Sequence, residues 1–204
     1  MLDSFGRALY QKYVIDPLLR LFFTKRRLSP SALTTIGLLF GLLTPCFLAL
    51  HMPFSACLAL LLSGFFDTLD GSVARQQGTG SERGALFDIL SDRIVESAVI
   101  TGFYLYDPER ALLCLLMFAS TLLCITSFLT VGIFTENLSE KSFHYSPGLI
   151  ERTEAFLFFV SIILFPSLFP PLASLFILLV FHTGVDRARK FYRSTRPGSP
   201  VVPR

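Results

Sequence analysis

The chain contains no tryptophan and has few charged residues. Of its 204 residues 16% are charged and 52% are hydrophobic, whereas an ordinary soluble domain carries about 25% charged residues. Such a chain could not cover its own apolar surface with polar groups, which excludes intrinsic disorder, a secreted disulfide scaffold and an ordinary cytosolic enzyme. The composition predicts one polytopic membrane domain, in which the 15 acidic residues are the most informative ones.

The chain also has few cysteines and a small net charge. The four cysteines lie inside apolar runs, where they are interpreted as small packing residues rather than disulfide partners or metal ligands. The net charge of +3 is too small to indicate a nucleic-acid partner.

Long apolar stretches are abundant instead. A membrane-spanning helix needs about 20 largely apolar residues, and proline and glycine residues, including the pair Pro170-Pro171, separate the stretches that qualify. The fold predicted is all-α, with six transmembrane helices. The predicted spans are Ser31 to Leu50, Phe54 to Arg75, Gly84 to Tyr106, Arg110 to Phe134, Thr153 to Phe169 and Leu172 to Arg189.

The ends of the chain predict its orientation. Residues 1–29 form a juxtamembrane segment whose apolar residues recur at helical spacing, which favours an interfacial helix before the membrane domain of residues 30–190. Lysine and arginine are concentrated before the first span and around the tail of residues 191–204, while only Arg110 lies among the loops on the other side. Both termini are therefore expected to be cytoplasmic. The lack of an organellar targeting segment and the compact length favour a bacterial inner membrane.

Four carboxylates follow a regular pattern around the second loop. Asp67 and Asp70 are three residues apart and Asp88 and Asp92 four apart, so each pair projects from one face of its helix. A short loop lets the two helices lie antiparallel, and the four carboxylates can converge near the cytoplasmic boundary. They would repel one another in a low-dielectric setting unless cations joined them, and Mg²⁺ or Mn²⁺ prefers such oxygen ligands.

The small residues beside these carboxylates indicate space for a ligand. Gly71 and Ala74 leave one helix face without bulk, and Arg75 offers a planar fork for phosphate. Gly84 starts the next helix without a side chain, and Ser81 adds a hydroxyl group in the loop. Metal ligands, an arginine and cleared space together favour a pyrophosphate-containing substrate.

This arrangement of carboxylates and small residues resembles that of the CDP-alcohol phosphatidyltransferase family. The pattern DxxDGxxARx(8)GxxxDxxxD of that family is matched at every fixed position by Asp67, Asp70, Gly71, Ala74, Arg75, Gly84, Asp88 and Asp92. The family's topology, an interfacial helix followed by six transmembrane helices, would cover nearly the whole chain. Pro30 to Thr34 is similar to the family's PNxxT stretch, with Ser31 where asparagine is usual.

The resemblance implies an activity in phospholipid biosynthesis. A transferase of substituted phosphate groups would move a phosphatidyl group from CDP-diacylglycerol to an alcohol and release CMP. Asp67 and Asp88 would bridge two divalent ions, Mg²⁺ or Mn²⁺, with Asp70 and Asp92 completing the sites, and Asp92 would be the general base. The implied contacts to the CDP-lipid are Ser31, Thr34, Asp70, Gly71, Ala74, Arg75, Ser81 and Gly84. Members of the family often form homodimers.

The sequence alone does not identify the acceptor alcohol. Lys141, Arg152 and Arg187 could form a basic pocket for a phosphorylated acceptor, or could serve only as positive-inside anchors. The stretch of residues 148–155 resembles GLIERxER of the family's inositol-phosphate-using branch, but Ala155 replaces its second arginine. A phosphatidylglycerophosphate synthase and a phosphatidylinositol-phosphate synthase are both alternatives.

Two other classes of protein could use the same carboxylates. A divalent-cation transporter would need matching polar groups in the remaining spans, which contain almost none. A catalytically inactive scaffold would be expected to have lost at least one of the four aspartates.

Two further features of the sequence have structural interpretations. Glu96, one turn beyond Asp92, either supports the site or packs between helices. The phenylalanine-rich runs are interpreted as facing lipid.

Overall fold

The computed structural model describes residues 29–78, 80–136 and 152–194, which form helices joined by turns. No β-strand occurs in these ranges, so the prediction of an all-helical protein is confirmed. The predicted interfacial helix lies outside the described residues. The helices are α1 (Pro30–Ala49), α2 (Pro53–Gln77), α3 (Glu82–Tyr106), α4 (Ala111–Glu136), α5 (Arg152–Leu164) and α6 (Phe169–Ser194).

Local chemistry sets the helix boundaries around the carboxylate motif. Pro53 starts α2 at a position where its missing N–H is not needed. Gly78 ends α2 with a φ of 62°, and its N–H donates to the carbonyl group of Arg75 over 3.3 Å. The Ser81 hydroxyl oxygen accepts a hydrogen bond from the Gly84 N–H over 3.1 Å and so caps α3. These caps turn the chain sharply between the two halves of the motif.

The boundary between the last two helices differs from the prediction. The sequence predicts a span that reaches Phe169, but α5 ends at Leu164 and a 3-10 turn, Pro166–Leu168, follows it. Pro170 and Pro171 lie in the first turn of α6 and not between the helices. The first turn of a helix has no intrahelical acceptors for its N–H groups, so proline is tolerated there.

Four of the six predicted spans are long and apolar enough to cross a membrane. The qualifying segments are Pro30–Ala49, Pro53–Gln77, Pro108–Phe134 and Pro166–Arg193. The helix α3 has 25 residues, but charged residues interrupt its apolar surface. The described part of α5, from Arg152 to Leu164, has 13 residues, which at 1.5 Å per residue gives about 20 Å against a hydrocarbon thickness of about 30 Å.

The first helix lies against both helices of the motif. A Cβ atom on Gly37 would lie 3.2 Å from the Ser63 carbonyl oxygen of α2, and one on Gly41 would lie 2.4 Å from Val95 Cγ2 of α3. In contrast, α2 and α3 make few direct contacts with each other. The expected antiparallel pair is therefore held together largely through α1, and a cleft remains between α2 and α3.

The other helices build an aromatic core. The helix α4 packs along α6, and α5 contacts both α2 and α6. Phe103, Phe159, Phe169 and Phe176 are buried and contact one another edge to face or at a tilt. The interpretation of the phenylalanine-rich runs as lipid-facing is wrong for these four residues, because the hydropathy of a run does not reveal which of its faces is covered.

Arg110 joins the turns at the end of the bundle away from the motif. Its Nη2 donates to the Pro166 carbonyl oxygen over 3.0 Å, and its Nε lies 3.1 Å from Asp107 Oδ2. The guanidinium carbon also lies 4.5 Å from the centroid of the Phe169 ring. The α3–α4 and α5–α6 connections therefore meet at the same end of the bundle. The C-terminal end of α6 lies at the opposite end, beside the carboxylate motif of residues 67–92, and we call this the motif end.

Candidate functional site

Three of the four predicted carboxylates converge at the motif end. Asp67, Asp70 and Asp88 each offer one oxygen atom, and these atoms all lie within 4.8 Å of one another. Asp70 is buried, with 5% of its surface exposed, and the other two are half-buried. Asp92 lies one helical turn beyond Asp88 and outside this group, but it lines the same cleft as Asp67.

The donor set is suited to a hard divalent cation. Three carboxylates this close together, one of them buried, carry charges that a divalent cation would neutralise. Their atoms are all oxygen, the ligand type that Mg²⁺ and Mn²⁺ prefer. Asp67, Asp70 and Asp88 are therefore the residues that would hold a metal ion.

Thr34 supports Asp70 from the neighbouring helix. Its hydroxyl oxygen lies 2.5 Å from Asp70 Oδ2 and 3.1 Å from the Pro30 carbonyl oxygen, and the residue is 8% exposed. The sequence predicts Thr34 as a contact to the nucleotide, whereas the structure places it against a carboxylate. A hydrogen bond to a metal-binding carboxylate fixes its orientation, and loss of such a bond typically lowers metal affinity about 10- to 100-fold.

Replacing Thr34 by valine is expected to weaken Mn²⁺ binding about tenfold, because valine keeps the shape and removes the hydrogen bond to Asp70. Thr34→Ser, which retains the hydroxyl group, is the matched control and should bind Mn²⁺ nearly as the parent does. Electron paramagnetic resonance of free Mn²⁺ during titration measures both affinities. Equal affinities for the valine and serine variants would contradict a positioning role.

An open cleft extends from Asp67 between α1, α2, α3 and α5, and its volume is about 630 Å³ when the solvent at its mouth is included. Asp67 and Asp92 lie at its polar end, and Leu60, Phe156 and Phe159 line its apolar part. Within the cleft, the carboxylate of Glu96 forms an ion pair with the guanidinium group of Arg93. The cleft can therefore receive a molecule with a polar group at Asp92 and an apolar portion inside the bundle.

The residues predicted to contact phosphate have specific local roles. Arg75 is exposed, its Nη2 donates to Ser72 Oγ over 3.1 Å, and its Nη1 lies 3.3 Å from the position of a Cβ on Gly71. Glycine at this position thus leaves room for the guanidinium group along the helix face. Ala74 is half-buried beside them. Ser81 caps α3 through the Gly84 N–H, so its hydroxyl oxygen is used within the protein.

The remaining predicted residues lie apart from this group or beyond the described residues. Ser31 is exposed in the first turn of α1, where its carbonyl oxygen accepts a hydrogen bond from Thr35. Arg187 on α6 contacts α4: its Nη1 donates to the Cys124 carbonyl oxygen over 3.2 Å, and its guanidinium group lies over the Phe128 ring. Lys141 and the side chain of Arg152 lie outside the described residues.

Sequence reasoning missed the glycines that shape the cleft. A Cβ on Gly37 would lie 3.5 Å from the Asp67 backbone nitrogen, so this glycine allows α1 to approach the carboxylates closely. Gly41 does the same for α3 at Val95. The two glycines form a GxxxG pattern in an apolar helix, which is typical of close helix contacts in membranes and could have indicated both positions.

Comparisons with known proteins indicate the family to which the chain belongs. Residues 27–185 match the CDP-alcohol phosphatidyltransferase family. The inner membrane protein YnjF of Escherichia coli is 33% identical over 176 residues, which are 82% of this chain and 85% of that protein. The phosphatidylinositol phosphate synthase of Corynebacterium glutamicum is 30% identical over 161 residues, 76% of this chain and 70% of that enzyme.

A solved structure has the same fold. The crystal structure of Mycobacterium tuberculosis phosphatidylinositol phosphate synthase with CDP-DAG bound aligns with a TM-score of 0.64 and 22% identity, covering 94% of this chain and 98% of that one. The family match spans the clustered carboxylates and the residues around them. The chain therefore belongs to the CDP-alcohol phosphatidyltransferase family, the membrane enzymes of phospholipid biosynthesis that transfer a phosphatidyl group from a CDP-linked lipid to an alcohol.

Proposed function

We propose that this chain transfers the phosphatidyl group of CDP-diacylglycerol to a hydroxyl group of a polar alcohol and releases CMP. The observation that carries the proposal is the convergence of Asp67, Asp70 and Asp88 at a cleft that Asp92 also lines. The polar and apolar parts of this cleft suit a lipid substrate whose reacting phosphate lies at the membrane boundary. CDP-DAG is also the ligand in the solved structure with the same fold.

The metal-binding residues of this proposal are aspartates. Asp67, Asp70 and Asp88 would hold divalent cations, Mg²⁺ or Mn²⁺, and a pair of ions is the arrangement we propose, with Asp92 as a further ligand. When bound, such ions supply charge neutralisation on a pyrophosphate and on a departing phosphate. Thr34 orients the Asp70 carboxylate for this task.

Asp92 is the proposed general base. Its position in the cleft, one turn beyond Asp88, puts a carboxylate near the carboxylate cluster and within the space open to an acceptor. The acceptor O–H gives its proton to Asp92 while its oxygen forms a bond to the phosphorus attached to diacylglycerol. The bond from that phosphorus to the CMP oxygen breaks, and CMP leaves with the electron pair. Arg75 and the cleared face at Gly71 and Ala74 would receive the nucleotide.

The proposed membrane arrangement has six spans, an interfacial helix before them, and both termini and the active site in the cytoplasm of a bacterial inner membrane. Four helices meet the length and hydropathy of a span, and α3 would cross with its charged residues turned toward the cleft. The helix α5 would cross together with the 3-10 turn that follows it. Relatives include an inner membrane protein, and the basic residues cluster at the motif end of α6.

The acceptor to test first is an inositol phosphate, because relatives that cover three quarters of this chain are phosphatidylinositol phosphate synthases. In that case Lys141, Arg152 or Arg187 would recognise the acceptor phosphate. Ala155, which lines the cleft in place of a basic residue, removes one cation from this region. Glycerol 3-phosphate, free inositol and amino alcohols are therefore the other members of the panel.

The test measures CMP release by the purified chain from CDP-diacylglycerol with each acceptor in turn. We expect release that requires one acceptor class, stops when EDTA removes divalent cations, and returns when Mg²⁺ or Mn²⁺ is added in excess. Release that is unaffected by EDTA would contradict the metal site. Absence of metal-dependent release with every acceptor would contradict the proposed reaction.

A further inference from the structure

A second concave surface lies at the motif end of the bundle, away from the cleft. It is an open groove between α4 and α6, of about 1040 Å³ when the solvent at its mouth is included. We call it the α4–α6 groove; its lining includes Leu123, Ser127, Ala188, Arg189, Tyr192 and Arg193. The groove shares no lining residue with the cleft that contains Asp92. Its chemistry must therefore be explained separately from the transfer reaction.

Close helix packing forms the base of the groove. A Cβ atom on Gly184 of α6 would lie 3.2 Å from Cys124 Cα of α4, so the two backbones nearly touch at this point. One turn further toward the C-terminal end of α6, Ala188 lines the groove with a small side chain. Leu123 and Val185 supply apolar walls. This apolar part of the groove can accommodate a hydrocarbon chain.

Charge is concentrated at the outer end of the groove. Arg189 and Arg193 are four residues apart, so they lie on one helix face, and both are exposed. Tyr192 stands between them with 66% of its surface exposed, and tyrosine is typical of the membrane interface. A groove with an apolar part and two guanidinium groups at its outer end matches an anionic amphiphile, with its phosphate at the arginines and its chain in the apolar part.

We propose that the α4–α6 groove binds an anionic phospholipid of the same membrane leaflet that faces the active site. The N-terminal segment is a poorer occupant, because residues 1–28 carry six lysine and arginine residues against two aspartates and would add positive charge to the arginines. A second copy of the chain docked through the same face would likewise bring four arginines together. Charge complementarity thus favours a lipid phosphate over either of them.

The lack of tryptophan provides a direct test. Tyr192→Trp places a single tryptophan in the groove, and its fluorescence can be followed in phosphatidylcholine nanodiscs that contain brominated phosphatidylglycerol or brominated phosphatidylcholine. We expect half-maximal quenching at an approximately thirtyfold lower fraction of phosphatidylglycerol, the preference that about 1 kcal/mol for each of the two arginines near a membrane surface produces. Leu123→Trp on the other wall is a second reporter.

Matched charge variants separate a groove site from general attraction of anionic lipid. Arg189→Gln with Arg193→Gln should abolish the preference, whereas Lys190→Gln should leave it within about twofold. Lys190 is adjacent in sequence, but its Nζ lies 2.7 Å from Asp186 Oδ2 and it does not line the groove. An equal loss in the Lys190 variant, equal quenching by both lipids, or a tryptophan shielded from both would overturn the proposal. No arm of this test depends on catalysis, so it remains decisive if the acceptor assignment fails.

Discussion

Replacing Asp92 by asparagine is expected to reduce turnover about a thousandfold while the protein continues to bind the CDP-lipid. Asparagine preserves the size of the side chain but cannot take a proton from the acceptor alcohol, and general-base catalysis is typically worth about 10²- to 10⁴-fold. Asp92 lines the cleft yet lies outside the tightest carboxylate group, so its loss should affect chemistry more than metal retention. CMP release measures turnover, and isothermal titration with CDP measures nucleotide binding.

Glu96→Gln is the control for this experiment. Glu96 lies one turn beyond Asp92, lines the same cleft, and is paired with Arg93, so it tests whether any carboxylate of the cleft would have the same effect. We expect a reduction of less than about tenfold, because a partly exposed ion pair such as Arg93–Glu96 is typically worth at most about 1 kcal/mol. A similar loss in both variants would indicate a general electrostatic role, and near-normal turnover by Asp92→Asn would exclude the residue as the base.

The carboxylate cluster was predictable because short-range geometry determines most of it. Asp67 and Asp70 share a helix face at any position in a bundle, and a capped turn of a few residues brings Asp88 back toward them. The spacing of the aspartates in the sequence does not determine which carboxylates of α3 come close to Asp67 and Asp70. The structure accordingly groups three aspartates, and leaves Asp92 further along the cleft.

The roles of single hydroxyl groups were harder to predict, since a hydroxyl group can satisfy a ligand or the protein itself. Thr34 and Ser81 are both interpreted from the sequence as contacts to the CDP-lipid. In the structure Thr34 is hydrogen-bonded to Asp70, and Ser81 caps α3. Arg187 likewise contacts the Cys124 carbonyl oxygen and the Phe128 ring, contacts that depend on how α4 packs along α6. Such pairings are long-range properties of the fold.

The order in which the helices pack was the feature hardest to predict from the sequence. Hydropathy identifies apolar segments but does not show which segment lies between which others, so the position of α1 between α2 and α3 and the burial of Phe103 and Phe176 could not be derived from it. Glycine positions carry part of this information, because a missing side chain in an apolar helix marks a point where another helix can come close. Gly102 is such a point.

Replacing Gly102 by alanine is expected to destabilise the protein by about 2 kcal/mol, because overpacking a core typically costs about 1–3 kcal/mol and outweighs the gain in helix propensity of at most about 1 kcal/mol. The new Cβ atom would lie 2.9 Å from Pro45 Cα and 2.7 Å from Leu48 Cδ1. Leu48 could change its rotamer, but Pro45 presents backbone within α1, so the helices themselves must separate. Thermal unfolding of the purified chain in one detergent measures the difference.

Gly80→Ala is the matched control for that substitution. Gly80 precedes α3, and a Cβ atom there would have no neighbour within 4 Å, so the same chemical change should leave the unfolding midpoint nearly unchanged. Since α1 also holds Thr34 against Asp70, separation of α1 from α3 at Gly102 should also lower Mn²⁺ affinity, even though Gly102 is nearly three helical turns beyond Asp92. A stable Gly102→Ala variant with normal Mn²⁺ affinity would contradict the conclusion that α1 holds the two halves of the site together.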